Sequence, residues 1–197
     1  AYITSFHDNN DDIEAVLLST AHPHTGRGTY TFNLYRHLKT RINTIFFWKY
    51  RFNRSMVKQL SLVTTIIPRL KELSKKRNLI VHFLTEGAAL IEPVVRGNTK
   101  KVATIHDIPS SKLLLEFLKD FDAIITVSEV NEKKLKEEIG TKSTYTIYLG
   151  VDTQIFNKKD KITARRLLAQ KLGLNHIIND SEKTYIIFTS DDDPRIH

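Results

Sequence analysis

Four short groups in this chain pair reactive or ligand-binding side chains with a spacing that suits chemistry. Thr25-Gly-Arg-Gly-Thr29 sets two glycines around an arginine. Glycines let backbone amides come close to a phosphate or a sugar, and a helix starting there adds partial positive charge. The third glycine of a dinucleotide fingerprint is missing, since Tyr30 and Thr31 follow. On spacing alone, an ordinary turn accounts for Gly26, Arg27 and Gly28 better than an anion site does. His106-Asp107 follows the run 102–105 and precedes Pro109. Imidazole titrates near neutral pH, and the carboxyl end of a strand is where ligands bind in open α/β sheets. Glu86 follows a second such run, as an exposed carboxylate that either meets an acceptor hydroxyl or simply solvates the surface. Ser128-Glu129 follows a third, at 123–127.

Metal chemistry finds less support. His22 and His24 flank Pro23 with no helix to align them and no third ligand nearby. Asp120-Phe-Asp122 and Asp191-Asp-Asp193 have the spacing of a metal-binding Asp-x-Asp, but each reads better as a solvated turn. No metal and no cofactor is expected. His82, midway along its strand, reads as a packed core histidine.

These groups need a scaffold. Short apolar or β-branched runs at 15–19, 43–48, 79–84, 101–105 and 123–127 read as strands, with a short candidate at 2–6. Helical spacing appears at 29–40, at 55–76 with a break or kink at Pro68, at 111–119 and at 131–140, where Gly140 ends the element. A strand from Thr146 then leads to a Gly150-Val-Asp152 turn anchored by Phe156. Strands alternate with helices, which implies an α/β, Rossmann-like, doubly wound and mostly parallel sheet with helices on both faces. The segments 20–28, 85–88, 106–109 and 128–130 then fall along one edge. Residues 158–174 read as a helix burying Ala164, Leu167, Leu168 and Leu172 and ending on Gly173, and 185–189 as a final strand.

Bulk properties exclude several classes. The 197 residues contain no cysteine, so disulfides, thiolate catalysis and cysteine-ligated zinc are ruled out. No run approaches the roughly 20 apolar residues of a membrane span. The polar first dozen residues do not read as a signal peptide, so a cytoplasmic location is expected. The net charge of +8 comes without a nucleic-acid-binding signature, so no specific nucleic acid is expected. Most of the cations read as solvated helix faces. The segment 46–58 interleaves Trp48 and Phe52 with Lys49, Arg51, Arg54 and Lys58. It reads as a strand and exposed loop, with a patch for an anionic membrane surface as the alternative.

The order strand, helix, strand across 122–156, with Ser128, Glu129, Gly150 and Asp152 at its turns, resembles nucleotide-sugar glycosyltransferases of the GT-B fold, family 4 in particular. The resemblance implies the N-terminal, acceptor-side Rossmann-like domain over 1–157, with a linker helix and the first strand of a donor domain over 158–197. It implies transfer of a sugar from a nucleotide diphosphate donor to a glycan, lipid-linked or small-molecule acceptor hydroxyl, without a metal. His106 and Asp107 are then the catalytic pair, with His106 facing the transferred sugar and Asp107 as its orienting or structural partner. Gly26, Arg27, Gly28, Glu86, Ser128 and Glu129 line donor and acceptor, and Arg195 meets the donor phosphates. Some positions depart from the family's pattern: Leu149 stands where Asn is usual, Thr189-Ser190 replace Gly-Arg, and Ile196 replaces a Lys. These departures keep two alternatives open. One is a non-catalytic sugar-binding relic or subunit that needs a partner donor domain. The other is a small metal-dependent GT-A enzyme using Asp-x-Asp.

Overall fold

A computed structural model of the chain describes residues 2–4, 15–22, 25–42, 44–48, 66–75, 79–95, 97, 99–140, 143–154 and 157–173. The chain divides into two compact units, 1–149 and 150–197. In the first, strands β1 (Tyr2–Thr4), β2 (Ala15–Ser19), β3 (Thr44–Trp48), β4 (Ile80–Phe83), β5 (Lys100–Ile105), β6 (Ala123–Thr126) and β7 (Thr144–Thr146) build one sheet in the order β1-β3-β2-β4-β5-β6-β7. The last six strands in chain order run parallel, and only β1 is antiparallel, at the edge against β3.

The pleat sends alternate side chains to opposite faces, and each face finds its own cover. Val16, Leu18, Val81, Phe83, Ala103 and Ile105 share one core with Leu70 and Leu73 of helix α2 (Ile67–Leu73), Ala88 of α3 (Glu86–Ala89), Leu114 and Leu118 of α4 (Lys112–Leu118), and Leu135 of α5 (Glu129–Ile139). On the other face Leu17, Phe46 and Leu84 pack with Tyr30, Leu34, Tyr35 and Leu38 of α1 (Gly26–Leu38). The chain leaves β2 through α1 to reach β3 on one side, then returns to lay β4 on the other. The carboxyl ends of β2 and β4 therefore flank a topological switch point, the crevice where open α/β sheets bind ligands. The fold is the expected α/β, Rossmann-like one.

Four features differ from expectation. Residues 26–28 belong to the first turn of α1, because Thr25 caps it with a hydroxyl that accepts from the Gly28 amide at 3.2 Å. That cap outweighs the poor helix propensity of glycine. Glu86 likewise opens a helical turn, capped by Thr85, instead of a loop. In the second unit, α6 (Lys161–Leu172) is capped by Asp160 and ends on Gly173, but Ala164, Leu167 and Leu172 are exposed, Leu168 is half-buried and Ala169 is buried. At 100° per residue, Ala164 and Leu167 point away from the face formed by 165, 168 and 169. Asp152 accepts from the Gln154 amide at 2.9 Å, so the tight turn lies at Thr153-Gln154, just past Gly150-Val-Asp152.

Several expectations lie outside the described residues: Phe156, the helix at 55–65, the strand at 185–189, Arg195, and the side chains of the 47–58 patch. Among the described residues, no helix is long and apolar enough to cross a membrane.

Candidate functional site

At the carboxyl end of β2, the Ser19 hydroxyl bonds the Thr31 hydroxyl of α1 at 3.1 Å, and the Thr20 hydroxyl bonds that of Thr85 at 2.8 Å. These bonds fix the starts of α1 and α3 against each other across the switch point. Gly87 permits the approach, since a Cβ there would stand 2.8 Å from the Thr20 hydroxyl oxygen.

Glu86, in the first turn of α3, is the hub. Its side chain is 14% exposed, against the surface position expected of it. Oε1 accepts from the backbone amides of His106 at 2.8 Å and Asp107 at 3.0 Å, and Oε2 accepts from Arg27 Nη1 at 3.0 Å. With three donors, one of them cationic, the carboxylate positions the site: it ties Arg27 to the backbone of His106 and Asp107. The other guanidinium nitrogen of Arg27 binds Asp107 Oδ2. Asp107 is 76% exposed, and its second oxygen has no partner among the described residues.

His106 is held from four directions. Besides the Glu86 bond to its amide, its carbonyl accepts from Asn131 Nδ2 of α5 at 2.9 Å, and its Nε2 donates to the Leu84 carbonyl at 3.2 Å. The Tyr30 ring meets its edge, with centroids 5.1 Å apart. A carbonyl can only accept, so Nε2 carries the proton and Nδ1 of the neutral ring is the acceptor. The residue is 7% exposed, and burial holds its pKa below the usual histidine value against the opposing pull of Glu86. At neutral pH the ring is uncharged and able to accept a hydrogen bond or a proton.

Beneath it, Tyr30 Oη and His82 Nε2 both reach the Thr104 hydroxyl, at 3.4 and 2.8 Å. Burial pushes the His82 pKa down to about 4, so the packed histidine expected from its mid-strand position is neutral.

The remaining predicted residues do other work. Ser128 caps α5, its hydroxyl accepting from the Asn131 amide at 3.2 Å. Exposed Glu129 accepts from Tyr148 Oη at 2.9 Å. Both stand at the same carboxyl edge as His106, but no contact joins either side chain to Arg27, Glu86 or His106. Among the described residues no group of side chains has the arrangement of a metal site, and Asp122 of the candidate Asp-x-Asp binds Lys100 Nζ and the Lys101 amide instead.

No protein-family model matches this chain. No curated protein matches it either. Geometry therefore carries the functional argument. The arrangement offers an uncharged imidazole, an exposed carboxylate and a guanidinium clamped between two carboxylates, all at a helix start beside the switch point. Such a site can bind hydroxyl-rich ligands and one anionic group. Sequence inspection missed Asn131 and Tyr30, which hold His106 in place. Neither carries a local signal, because their contacts span 25 and 76 residues of chain.

Proposed function

We propose that the first unit is the acceptor-side domain of a nucleotide-sugar glycosyltransferase. The observation that carries this reading is the convergence of Arg27, Glu86, His106 and Asp107 at the switch point of a parallel sheet. Arg27 and the amides opening α1 meet a donor phosphate, where an N-terminal helix dipole favours negative charge. His106 Nδ1 and the unpartnered Asp107 oxygen accept hydrogen bonds from sugar hydroxyls. The leaving diphosphate is stabilised by fixed cations and dipoles without a metal. Glu86 supplies no chemistry in this scheme; it sets the distance between Arg27 and His106. The partners are then a nucleotide sugar and a hydroxyl acceptor.

One observation favours a second reading, sugar binding without transfer. Arg27 is already neutralised by two carboxylates, so a diphosphate must displace Asp107 to gain it. Calorimetry on the full chain separates the two readings. Weak, metal-independent binding of a nucleotide diphosphate sugar that exceeds binding of the free sugar supports the transferase. Equal affinity for both supports the binding module. Tight binding that requires manganese overturns both in favour of metal-dependent chemistry.

A further inference from the structure

At the opposite, amino end of β5 the first unit holds a cavity of about 510 Å3, between the 3₁₀ turn Glu92–Val94 and the end of α4. Its walls include Val95, Gly97, Phe117 and Asp120, and its floor is the ion pair between Lys101 Nζ and Glu92 Oε1. Lys101 is the second residue of β5 and His106 follows the last, so a strand rise of about 3.3 Å per residue puts the two roughly 17 Å apart. The cavity is thus separate from the carboxyl-edge site.

Its polar groups are only partly used. An ammonium has three donors and a carboxylate two acceptor oxygens. Among the described residues the Lys101 ammonium binds Glu92 alone, and the Glu92 carboxylate binds Lys101 alone. The Glu92 side chain is 6% exposed, yet Oε2 is not sealed without a partner: that condition is met only by the Tyr35 hydroxyl among the described residues. Oε2 therefore keeps some solvent access, and Glu92 lines the cavity. Among the described residues, neither Asp120 carboxylate oxygen has a partner. Two carboxylates against one ammonium leave a surplus of one negative charge among the described lining residues, in a chain whose net charge is +8. The half-buried Phe117 ring adds a face that attracts cations, and Val95 adds apolar wall.

We propose that this cavity binds a small organic ligand through its ammonium group, which sits between Glu92 Oε2 and the Asp120 carboxylate beside the Phe117 ring. An amine and an amino acid share that group. In an amino acid the carboxylate additionally meets the two free N–H groups of Lys101.

The test is a titration of the full ¹⁵N-labelled chain at neutral pH with n-butylamine, 6-aminohexanoate and pentanoate, followed by amide shifts. Saturable shifts at Gly97, Thr99 and Phe117 are expected with the first two ligands and not with pentanoate. Tighter binding of 6-aminohexanoate than of butylamine identifies Lys101 as a second contact; equal binding leaves the ammonium as the sole recognised group. Glu92→Gln strands Lys101 and can unfold the chain, so exposed Asp120→Asn carries the decision. It should weaken binding by about five- to tenfold, as loss of a charge-assisted bond does. The proposal is overturned if neither ammonium ligand shifts these amides, if pentanoate shifts them equally, or if Asp120→Asn leaves the affinity unchanged. None of these outcomes depends on the carboxyl-edge site.

Discussion

The two ends of the central sheet are built on similar ion pairs that are completed differently. At the carboxyl end Glu86 meets a guanidinium and two backbone amides, and Arg27 meets a second carboxylate beyond it. At the amino end the Glu92 carboxylate meets a single lysine among the described residues, with one oxygen to spare. Arginine's planar fork can bridge two carboxylates in fixed geometry, whereas lysine is a point charge on a flexible stem. The difference teaches where rigidity is placed. The carboxyl end is a finished scaffold that presents His106 and Asp107. The amino end keeps unused bonding capacity facing a cavity.

The comparison breaks first at Glu86. Replacing it with alanine leaves two backbone amides without their acceptor and Arg27 with Asp107 alone, and a loss of about 3–4 kcal/mol, mostly from the amides, is expected from the urea midpoint. A loss below about 1 kcal/mol would show that the carboxylate is not the hub. Next comes pH. The His82 pKa is about 4 in the fold against 6.5 in the unfolded chain, so the unfolded chain binds the proton first as pH falls. Stability present above pH 6.5 should decline by roughly 3 kcal/mol by pH 4. His106, also lowered, acts in the same direction. His82→Gln should remove most of this slope in pH-dependent urea titrations, and an unchanged slope would assign it elsewhere.

A smaller effect is expected at the amino end. Gly97 has φ +100°, and a Cβ there would lie 2.6 Å from the Ser74 carbonyl oxygen. Gly97→Ala should therefore cost about 1–3 kcal/mol, read as a lowered thermal midpoint. The smallest change belongs to Asp107→Asn. Its pair with Arg27 is largely solvent-exposed, so stability should move by less than about 1 kcal/mol. Pyrophosphate affinity should rise, because one of the two charges neutralising Arg27 is gone. A fall in that affinity would place the anion away from Arg27.

The sheet was legible because its five longer strands are mostly apolar runs of four to six residues, such as Ala15–Ser19 and Ala123–Thr126, each followed by a polar residue within two positions. The start of α1 was not, since glycines at 26 and 28 argue against helix, and the Thr25 cap that overrides them is a weaker signal. The burial of Glu86 was also hidden. It depends on amides 20 and 21 residues away, which only the β4–β5 pairing brings close. His106-Asp107 could be singled out because a strand's carboxyl end is readable from composition. Its supports, Asn131 and Tyr30, are set by tertiary packing alone. The face of α6 was misread because its apolar residues surround the helix, so periodicity does not single out the covered side.

The central claim is that the Arg27–Glu86–His106–Asp107 cluster receives a nucleotide diphosphate sugar. Amide-shift mapping on the full chain with UDP-glucose and GDP-mannose tests it most directly, because weak binding suffices. The account predicts shifts centred on Gly26, Gly28, Glu86 and His106 with at least one of the two, largely lost in Arg27→Ala. Shifts confined to other parts of the chain, or the same shifts in Arg27→Ala, would contradict it.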